Sequence, residues 1–320
     1  MIARRNNGIL MYLVFIICFI FTIGISILFS KTIFNVDIYP KGIQLDYQKV
    51  AQEEFTITAQ KVTLPTKADF KELEELNDEI LSNITNAQML SEQIRILYDE
   101  VQNAIVCSTT NKYFNLLEEN FNLYQEQVSI IQEQISLFEE KYTLCLDLIS
   151  NIPEFSVLHE DMYNEFVEEF EDKYEFILAQ SKLFPKEKGE FLNFYLESKQ
   201  LANDLFEEYF DLMCHIVYAE AGICPSIEQC YVANVIENRI KHPLFPDNIY
   251  NVVYSPRQYA PVMSGSINNT PSQEVIQTVS DYLHGYIDTG MPDNVVYQAL
   301  FEQGSDVWEK MSSGHYFCYY

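Results

Sequence analysis

The spacing of apolar residues in the middle of the chain restricts its fold more than any other feature of the sequence. From Phe114 to Ile149 they recur at alternating steps of three and four residues, and an earlier run from Leu73 to Val101 has a mean step of 3.5. Such a step is typical of the seam of a coiled coil. The pattern therefore predicts two long helices, and the five residues CSTTN (107–111) between them are few enough to make the helices antiparallel neighbours. The apolar positions are Leu73, Leu76, Ile80, Ile84, Ala87, Leu90, Ile94, Leu97 and Val101, then Phe114, Leu117, Phe121, Tyr124, Val128, Ile131, Ile135, Phe138, Tyr142, Cys145 and Ile149.

Two further helices are predicted after this pair, at Met162–Ala179 and from Phe191 to about Phe210. The segments NIP (151–153) and FPKEKG (184–189) separate them as loops. Residues 67–210 are therefore expected to form a helical coiled-coil stalk. The pattern leaves open whether the helices pair within one chain or between two chains, so a homo-oligomer or a partner bound through the coiled coil is an alternative.

The N-terminal region contains an apolar run that predicts a membrane anchor. Ile9–Phe29 is 21 residues long and carries no charge, which at 1.5 Å per residue spans about 31 Å, the thickness of a bilayer core. A cleaved signal peptide is the competing interpretation, but the run is longer than a usual signal core and lacks an A-x-A-like cleavage site. Arg4 and Arg5 precede the run and only Lys31 closely follows it. This bias places the N-terminus in the cytoplasm and the bulk of the chain on the extracytoplasmic side of a single-pass membrane protein.

Charge and cysteine content exclude several classes of partner. The formal net charge is -27, with 47 acidic and 20 basic residues, which argues against nucleic acid because phosphate binding relies on clustered Lys and Arg. Six cysteines follow the apolar run, an even number that permits disulfides without establishing them. The sequence has no C-x-x-C, no Cys and His pair at zinc spacing and no H-E-x-x-H, so no metal and no organic cofactor is predicted.

The pattern changes near residues 208–211, where the heptads stop and prolines become frequent. Residues 211–320 are therefore predicted to form a separate compact domain of helices and loops. The expected organisation is a cytoplasmic tip and transmembrane anchor at 1–30, a juxtamembrane linker at 31–66, the stalk at 67–210 and this domain at 211–320.

Four motifs of the C-terminal region occur in order along the chain. They are VYAEAG at 217–222, VANVIENRI at 232–240, FPDNIYNVVYSPRQYAPV at 245–262 and GHYFC at 314–318. Together they resemble the SleB-type cell wall hydrolases, the spore-cortex-lytic and peptidoglycan-cleaving family, over about residues 211–320. The resemblance places Glu220 on the catalytic glutamate of the family and Asn238-Arg239 on its N-R pair. It also implies a mainly α fold, in which the C-terminal domain is lysozyme-like and α+β with a small β element.

The sequence departs from the family pattern directly after Glu220. Where the family usually reads R-G-E, this chain has Gly222, Ile223 and Cys224, and the family's Q-F pair is Gln258-Tyr259. The second acidic position of the motif is therefore missing. This departure bears on substrate preference and on activity.

The neighbours of Glu220 suit a carboxyl group that donates a proton. Val217, Tyr218, Ala219 and Ala221 flank it, and no Lys or Arg lies within eighteen residues on either side. An apolar setting raises the pKa of a carboxyl group, as a general acid near neutral pH requires. A glutamate at a helix end that simply faces water is the alternative.

The resemblance implies a lytic transglycosylase, which needs only one carboxylate to cleave the MurNAc–GlcNAc bond of peptidoglycan and forms 1,6-anhydroMurNAc. With the predicted anchor, the chain is expected to be a membrane-anchored enzyme of this kind. A muramidase that uses water needs a second carboxylate, and none is evident from the sequence near Glu220. A third possibility is a non-catalytic coiled-coil scaffold of the bacterial envelope with a glycan-binding C-terminal module. For substrate binding we select side chains that hydrogen-bond or stack on sugars, namely Asn238, Gln258, Tyr259, Tyr297 and His315.

Overall fold

A computed structural model of the protein describes residues 64–152 and 157–320. The predicted anchor at 9–29 and nearly all of the predicted linker at 31–66 lie outside these residues. Within the described ranges, no helix combines the length and the apolar character needed to cross a membrane.

The first half of the described structure consists of four long helices. They are α1 (Lys67–Asn103), α2 (Cys107–Ser150), α3 (Val157–Ser181) and α4 (Phe184–Ala221). Helices α1 and α2 pack along each other, and α3 and α4 pack against this pair. All eleven heptad positions predicted in the second helix are buried, and those of the first are buried or partly buried. The two predicted helices are therefore confirmed, and helices of the same chain cover their apolar face, whereas supercoiling of a coiled coil stays a prediction.

Helix α2 begins earlier than the sequence pattern indicated. The segment CSTTN forms its first turns, so the connection from α1 is only residues 104–106. The predicted loop is therefore wrong. The reason is tertiary: α2 has no side-chain cap of its own, and the carboxylate of Glu237, far along the chain, accepts a hydrogen bond from the Ser108 N–H at 2.9 Å.

Helix α4 runs without a break across the predicted domain boundary at 208–211. It also includes the segment FPKEKG, which was expected to be a loop. Pro185 lies in the first turn of the helix, where backbone N–H groups have no acceptor within the helix, so the missing N–H of proline costs no hydrogen bond. Two large apolar clusters lie along the structure, one among α1–α4 and one in the C-terminal region. Val106 of the α1–α2 connection and Cys107, the first residue of α2, belong to the second cluster. The division into domains stays a prediction.

The C-terminal region continues with short helices and a small sheet. These are α5 (Ser226–Lys241), α6 (Ile249–Tyr254), α7 (Ala260–Ser264), a 3-10 helix (Ser266–Asn268), α8 (Gln273–Leu283), β1 (Val295–Ala299), β2 (Val307–Lys310) and β3 (Tyr316–Tyr319). The strands are antiparallel in the order β1-β3-β2. A mainly helical fold with a small sheet agrees with the predicted class, and the lysozyme-like fold stays a prediction.

All six cysteines of the described residues are free thiols. Burial raises the pKa of the Cys145 thiol to about 11 and that of the Cys230 thiol to about 12. Both groups are therefore protonated at neutral pH, and their reactivity is low because the thiolate is the nucleophilic form.

Gly285 lies where α8 meets α2, and its replacement by alanine is expected to destabilise the protein. A Cβ atom at this residue would lie 2.7 Å from the backbone nitrogen of Lys112, and its φ of +73° is unfavourable for alanine. Gly290 is a matched control, because its φ is +65° but a Cβ atom there meets nothing within 4 Å. We expect G285A to lower the free energy of unfolding by about 1–3 kcal/mol more than G290A, since only G285A adds overpacking. Equal losses in urea unfolding would show that α2 and α8 separate easily.

Candidate active site

Glu220 lies at the C-terminal end of α4, one residue before the helix ends at Ala221. The N–H of Gly222 donates to the carbonyl of Tyr218 at 3.0 Å and closes the last turn. The Glu220 side chain is partly buried, and burial raises the pKa of its carboxyl group. This direction agrees with the apolar setting seen in the sequence, while the role of Glu220 as proton donor stays a prediction.

Three side chains from other elements oppose the effect of burial on Glu220. The charges of His315 and Arg239 lower the pKa of the Glu220 carboxyl group, and so does a hydrogen bond from the side chain of Gln298. Burial is nevertheless the largest effect. The raised pKa favours the protonated form that a general acid needs, and the same three side chains stabilise the carboxylate that forms when the proton leaves.

Arg239, on α5, is held in place by a hydrogen bond and by packing against two aromatic rings. Its Nε donates to the carbonyl of Val296 at 2.7 Å. The guanidinium carbon lies 5.0 Å from the ring centre of Tyr259 and 5.3 Å from that of Phe245, within the range of cation–π attraction. Arg239 is thus a fixed positive charge near Glu220, although it is nineteen residues away in the sequence.

Tyr259 was predicted to bind substrate, and the structure corrects this. Only 2% of the residue is exposed, and its ring packs against the Arg239 guanidinium. A buried ring cannot stack on a sugar that arrives from solvent. The Tyr259 ring instead packs against the guanidinium group of Arg239.

Asn238 is also removed from the predicted substrate-binding set. Its side chain is completely buried, and its amide donates to the carbonyls of Pro292 and Val295, both at 2.9 Å. It therefore satisfies two backbone acceptors between α5 and β1. This is a bracing role, because a group with both amide hydrogens used inside the fold has none left for a sugar.

Strand β1 presents Gln298 to Glu220, whereas Tyr297 was the residue predicted from the sequence. Neighbouring residues of a strand face opposite sides of the sheet. The ring of Tyr297 packs 6.4 Å from that of Phe245 and 6.1 Å from that of Tyr320, and an interaction with the Gln298 side chain lowers the pKa of the Glu220 carboxyl group. Substrate binding by Tyr297 stays a prediction. No local signal in the sequence distinguishes Gln298 from other polar strand residues.

The two remaining predicted residues differ in their relation to Glu220. His315 lies close enough for its charge to act on the Glu220 carboxyl group, so the structure brings these two residues together. Gln258 is exposed, next to Arg257, whose φ of 66° is unusual for a non-glycine residue. Substrate binding by His315 and Gln258 stays a prediction.

Glu228, which contacts His315, was not among the site residues predicted from the sequence. Glu228 is 0% exposed, and one carboxylate oxygen, Oε1, accepts hydrogen bonds from the hydroxyl of Ser313 and from Nδ1 of His315, both at 2.5 Å. The sequence did contain a signal for Glu228. Cys224 stands where the family motif has an acidic residue, and a glutamate, Glu228, follows four residues later.

Cys224, Glu228 and His315 form the one group of metal-ligand side chains found among the described residues. One ligand atom of each lies within 4.8 Å of the others. Sulfur, carboxylate and imidazole are zinc ligands. The prediction that no metal binds rested on sequence spacing, which could not detect a group that spans residues 224 to 315.

Three aspartates of the C-terminal region that could serve as a second carboxylate each have another contact. Asp288 and Asp293 form ion pairs with lysines at 2.7 and 2.5 Å. Asp281 accepts a hydrogen bond from a glutamine one turn earlier on α8 at 2.8 Å. Among the described residues, the charges that act on Glu220 are those of His315 and Arg239.

Comparison with known proteins identifies the C-terminal region. Residues 225–317 match the family model described as Cell Wall Hydrolase, which confirms the predicted resemblance. The matched range covers somewhat less than a third of the chain and begins five residues after Glu220.

Curated relatives show the same similarity. The spore cortex-lytic enzyme of Halalkalibacterium halodurans is 39% identical over 79 residues, which are 25% of this chain and 24% of that protein. The spore cortex-lytic enzyme of Bacillus cereus is 28% identical over 130 residues, which are 41% of this chain and 46% of that protein. This chain therefore spans less than half the length of either relative. Among solved structures, the catalytic domain of the Bacillus cereus SleB protein matches with 29% identity and a TM-score of 0.29, over 35% of this chain and 90% of that domain.

Proposed function

We propose, from the match of residues 225–317 to the cell wall hydrolases, that this protein is an enzyme that cleaves the glycan strands of peptidoglycan. Within that class we propose a lytic transglycosylase with Glu220 as its single catalytic carboxyl group. The observation that carries this proposal is the setting of Glu220, a partly buried carboxyl group with a raised pKa beside His315, Arg239 and Gln298.

In the first step, Glu220 acts as a general acid. Its carboxyl group donates a proton to the oxygen that links MurNAc to GlcNAc, and the bond from that oxygen to C1 of MurNAc breaks. The GlcNAc side leaves as an alcohol, and positive charge develops at C1. The Glu220 carboxylate that remains is stabilised by the charges of His315 and Arg239 and by the hydrogen bond from Gln298.

In the second step, the same carboxylate acts as a general base. It takes the proton from the 6-hydroxyl of MurNAc while O6 forms a bond to C1, which gives the 1,6-anhydro sugar. Glu220 regains its proton and no water is consumed. One carboxyl group therefore suffices for both steps.

Membrane attachment is a further part of the proposal. The apolar run Ile9–Phe29 and the two arginines before it support a single-pass anchor with the rest of the chain on the extracytoplasmic side.

Mass spectrometry of purified peptidoglycan treated with the full-length protein tests this function. We expect fragments that end in 1,6-anhydroMurNAc. Fragments with hydrated reducing ends would indicate a muramidase that uses water. Binding to glycan strands without any release would indicate the scaffold with a glycan-binding module, and either of these results would reject the transglycosylase.

Replacing Gln298 with leucine should move the pH dependence of cleavage. The hydrogen bond from Gln298 lowers the pKa of the Glu220 carboxyl group, so Q298L should raise that pKa further. A general acid works while protonated, and its activity is lost as pH rises through its pKa. The alkaline limb of kcat/KM against pH should therefore shift to higher pH in Q298L.

The matched control for this shift is Gln273→Leu, an exposed glutamine on α8, which should leave the profile unchanged. An unchanged alkaline limb in Q298L, or one that moves to lower pH, would contradict the assignment of that limb to Glu220.

A further inference from the structure

Glu228 is a charged residue inside the fold that the proposed reaction does not use. It is 0% exposed at the start of α5. Burying a carboxylate is costly unless hydrogen bonds or an opposite charge compensate. The donors that compensate here are the hydroxyl of Ser313 and Nδ1 of His315 on the segment that leads into β3. The other carboxylate oxygen, Oε2, is buried and makes no hydrogen bond within the described part of the chain.

The contact with Glu228 fixes which nitrogen of His315 carries a proton. A carboxylate can only accept, so Nδ1 must donate, and the imidazole holds its hydrogen at Nδ1 whether the ring is neutral or charged. Nε2 makes no hydrogen bond to any residue that the structure describes. The ring therefore turns one nitrogen to Glu228 and keeps the other available, while its charge acts on Glu220.

A metal site at Cys224, Glu228 and His315 is the competing interpretation of the same atoms. Zinc lies about 2.0–2.2 Å from each nitrogen and oxygen ligand, which places neighbouring ligand atoms about 3 Å apart or more in a tetrahedral site. Nδ1 of His315 and Oε1 of Glu228 are 2.5 Å apart. This is closer than two ligand atoms of one zinc ion would lie, so the geometry favours a direct hydrogen bond between the two side chains.

We propose that Glu228 is a positioning residue, which orients His315 and fixes its tautomer so that the imidazole can stabilise the carboxylate of Glu220 during cleavage. This rests on the proposed function of Glu220. Glu228 also provides the second carboxylate that the family motif has at the position of Cys224. The sulfur of Cys224 lies within 4.8 Å of the carboxylate of Glu228, so the two side chains are neighbours.

The groups that titrate or carry charge around this site are few. Glu220 faces the charges of His315 and Arg239, and the phenol of Tyr259 lies beside the Arg239 guanidinium. Glu228 and His315 face the thiol of Cys224, whose pKa burial raises to about 11, with the contact to Glu228 adding to the rise. Cys224 and Tyr259 are therefore neutral near pH 7.

Glu228→Gln in the full-length protein tests this role. Glutamine keeps the size of the side chain but removes the charge that holds Nδ1–H. We expect kcat to fall about 10- to 100-fold with little change in KM, because only the orientation of a group near the reacting atoms is lost. The alkaline limb of the pH profile should also shift. Glu309→Gln, at an exposed position of β2, is the matched control and should behave as wild type.

Relocating the carboxylate separates a positioning role from a purely structural one. Because Cys224 lies beside Glu228 and His315, the double variant C224E/E228Q should recover part of the activity that E228Q loses. Wild-type kcat and pH dependence in E228Q would overturn the proposal. Binding of one equivalent of Zn²⁺ that raises the activity of the wild type and is lost in E228Q would overturn it as well.

Nitrogen-15 NMR of His315 in the wild type gives a readout that depends on neither activity nor the stability of a variant. We expect Nδ1 to be protonated in the neutral ring. A hydrogen on Nε2 with a bare Nδ1 would overturn the role of Glu228 even if the enzyme is active. Conversely, a protonated Nδ1 in a protein that releases no glycan fragments would reject the proposed function while leaving the Glu228–His315 contact in place.

Discussion

Replacing Glu220 with glutamine is expected to lower the rate of peptidoglycan cleavage by about 10²- to 10⁴-fold, the usual contribution of a general acid. Glutamine has nearly the same size and keeps a hydrogen-bond acceptor for Gln298, but it cannot donate a proton to the glycosidic oxygen. The loss should appear in kcat. Binding of glycan strands should remain, since the charges of His315 and Arg239 stay in place. A turbidity assay on purified cell walls measures the rate.

Glu207→Gln is the matched control for this variant. Glu207 lies on the same helix, α4, and is exposed, so its replacement should leave turnover unchanged. Both variants should keep the wild-type circular dichroism spectrum. Comparable turnover in Glu220→Gln and Glu207→Gln would reject Glu220 as the acid.

Replacing Glu237 with alanine is expected to cost about 3 kcal/mol or more in the free energy of unfolding, because each buried donor left without an acceptor costs about 1–3 kcal/mol. Glu237 is 1% exposed. Its carboxylate accepts hydrogen bonds from the N–H of Ser108 at 2.9 Å, from the hydroxyl of Ser108, and from the hydroxyl of Tyr282 at 2.8 Å. Alanine would leave three donors without an acceptor, two of them on Ser108 at the first turn of α2.

Glu197→Ala is the matched control for stability. Glu197 also accepts a hydrogen bond from a tyrosine, the hydroxyl of Tyr98 at 2.6 Å, but at an exposed site. Water can replace that bond, so we expect a loss of no more than about 1 kcal/mol. Urea unfolding of the two variants measures the difference, and equal small losses would contradict the network around Glu237.

The contacts of Glu237 tie the α1–α2 connection to the C-terminal region. Glu237 lies on α5, Tyr282 on α8 and Ser108 on α2, and Val106 and Cys107 lie in the same apolar cluster as α5 and α8. A fragment that begins after α2 lacks these groups. The region similar to the cell wall hydrolases is therefore stabilised by residues about one hundred positions earlier in the chain.

The heptad positions could be predicted from sequence because each depends on local periodicity alone. The start of α2 could not, since the cap on Ser108 comes from Glu237, 129 residues away. The continuity of α4 through residues 208–211 was hidden for a related reason. The residue types change there because the surroundings of α4 change, while the backbone stays helical.

In the candidate site, too, some features could be predicted from the local sequence and others depend on the fold. Glu220 could be selected because the resemblance to the SleB-type hydrolases places it on their catalytic glutamate, and its apolar neighbours in the sequence suit that role. The surroundings of its carboxyl group come from α5, β1 and the segment before β3, so Arg239 and Gln298 were beyond local reasoning. Tyr259 has the chemistry of a sugar-stacking residue, but only the packing reveals that its ring is covered. A residue type predicts what a side chain can do, and burial decides whether it can reach a substrate.

The most direct test of the central claim is the yield of anhydromuropeptides from purified peptidoglycan, measured by mass spectrometry for the full-length wild type and for Glu220→Gln in parallel. We predict fragments ending in 1,6-anhydroMurNAc from the wild type and only background from the variant. Equal yields from the two proteins, or no such fragments from the wild type, would contradict the account.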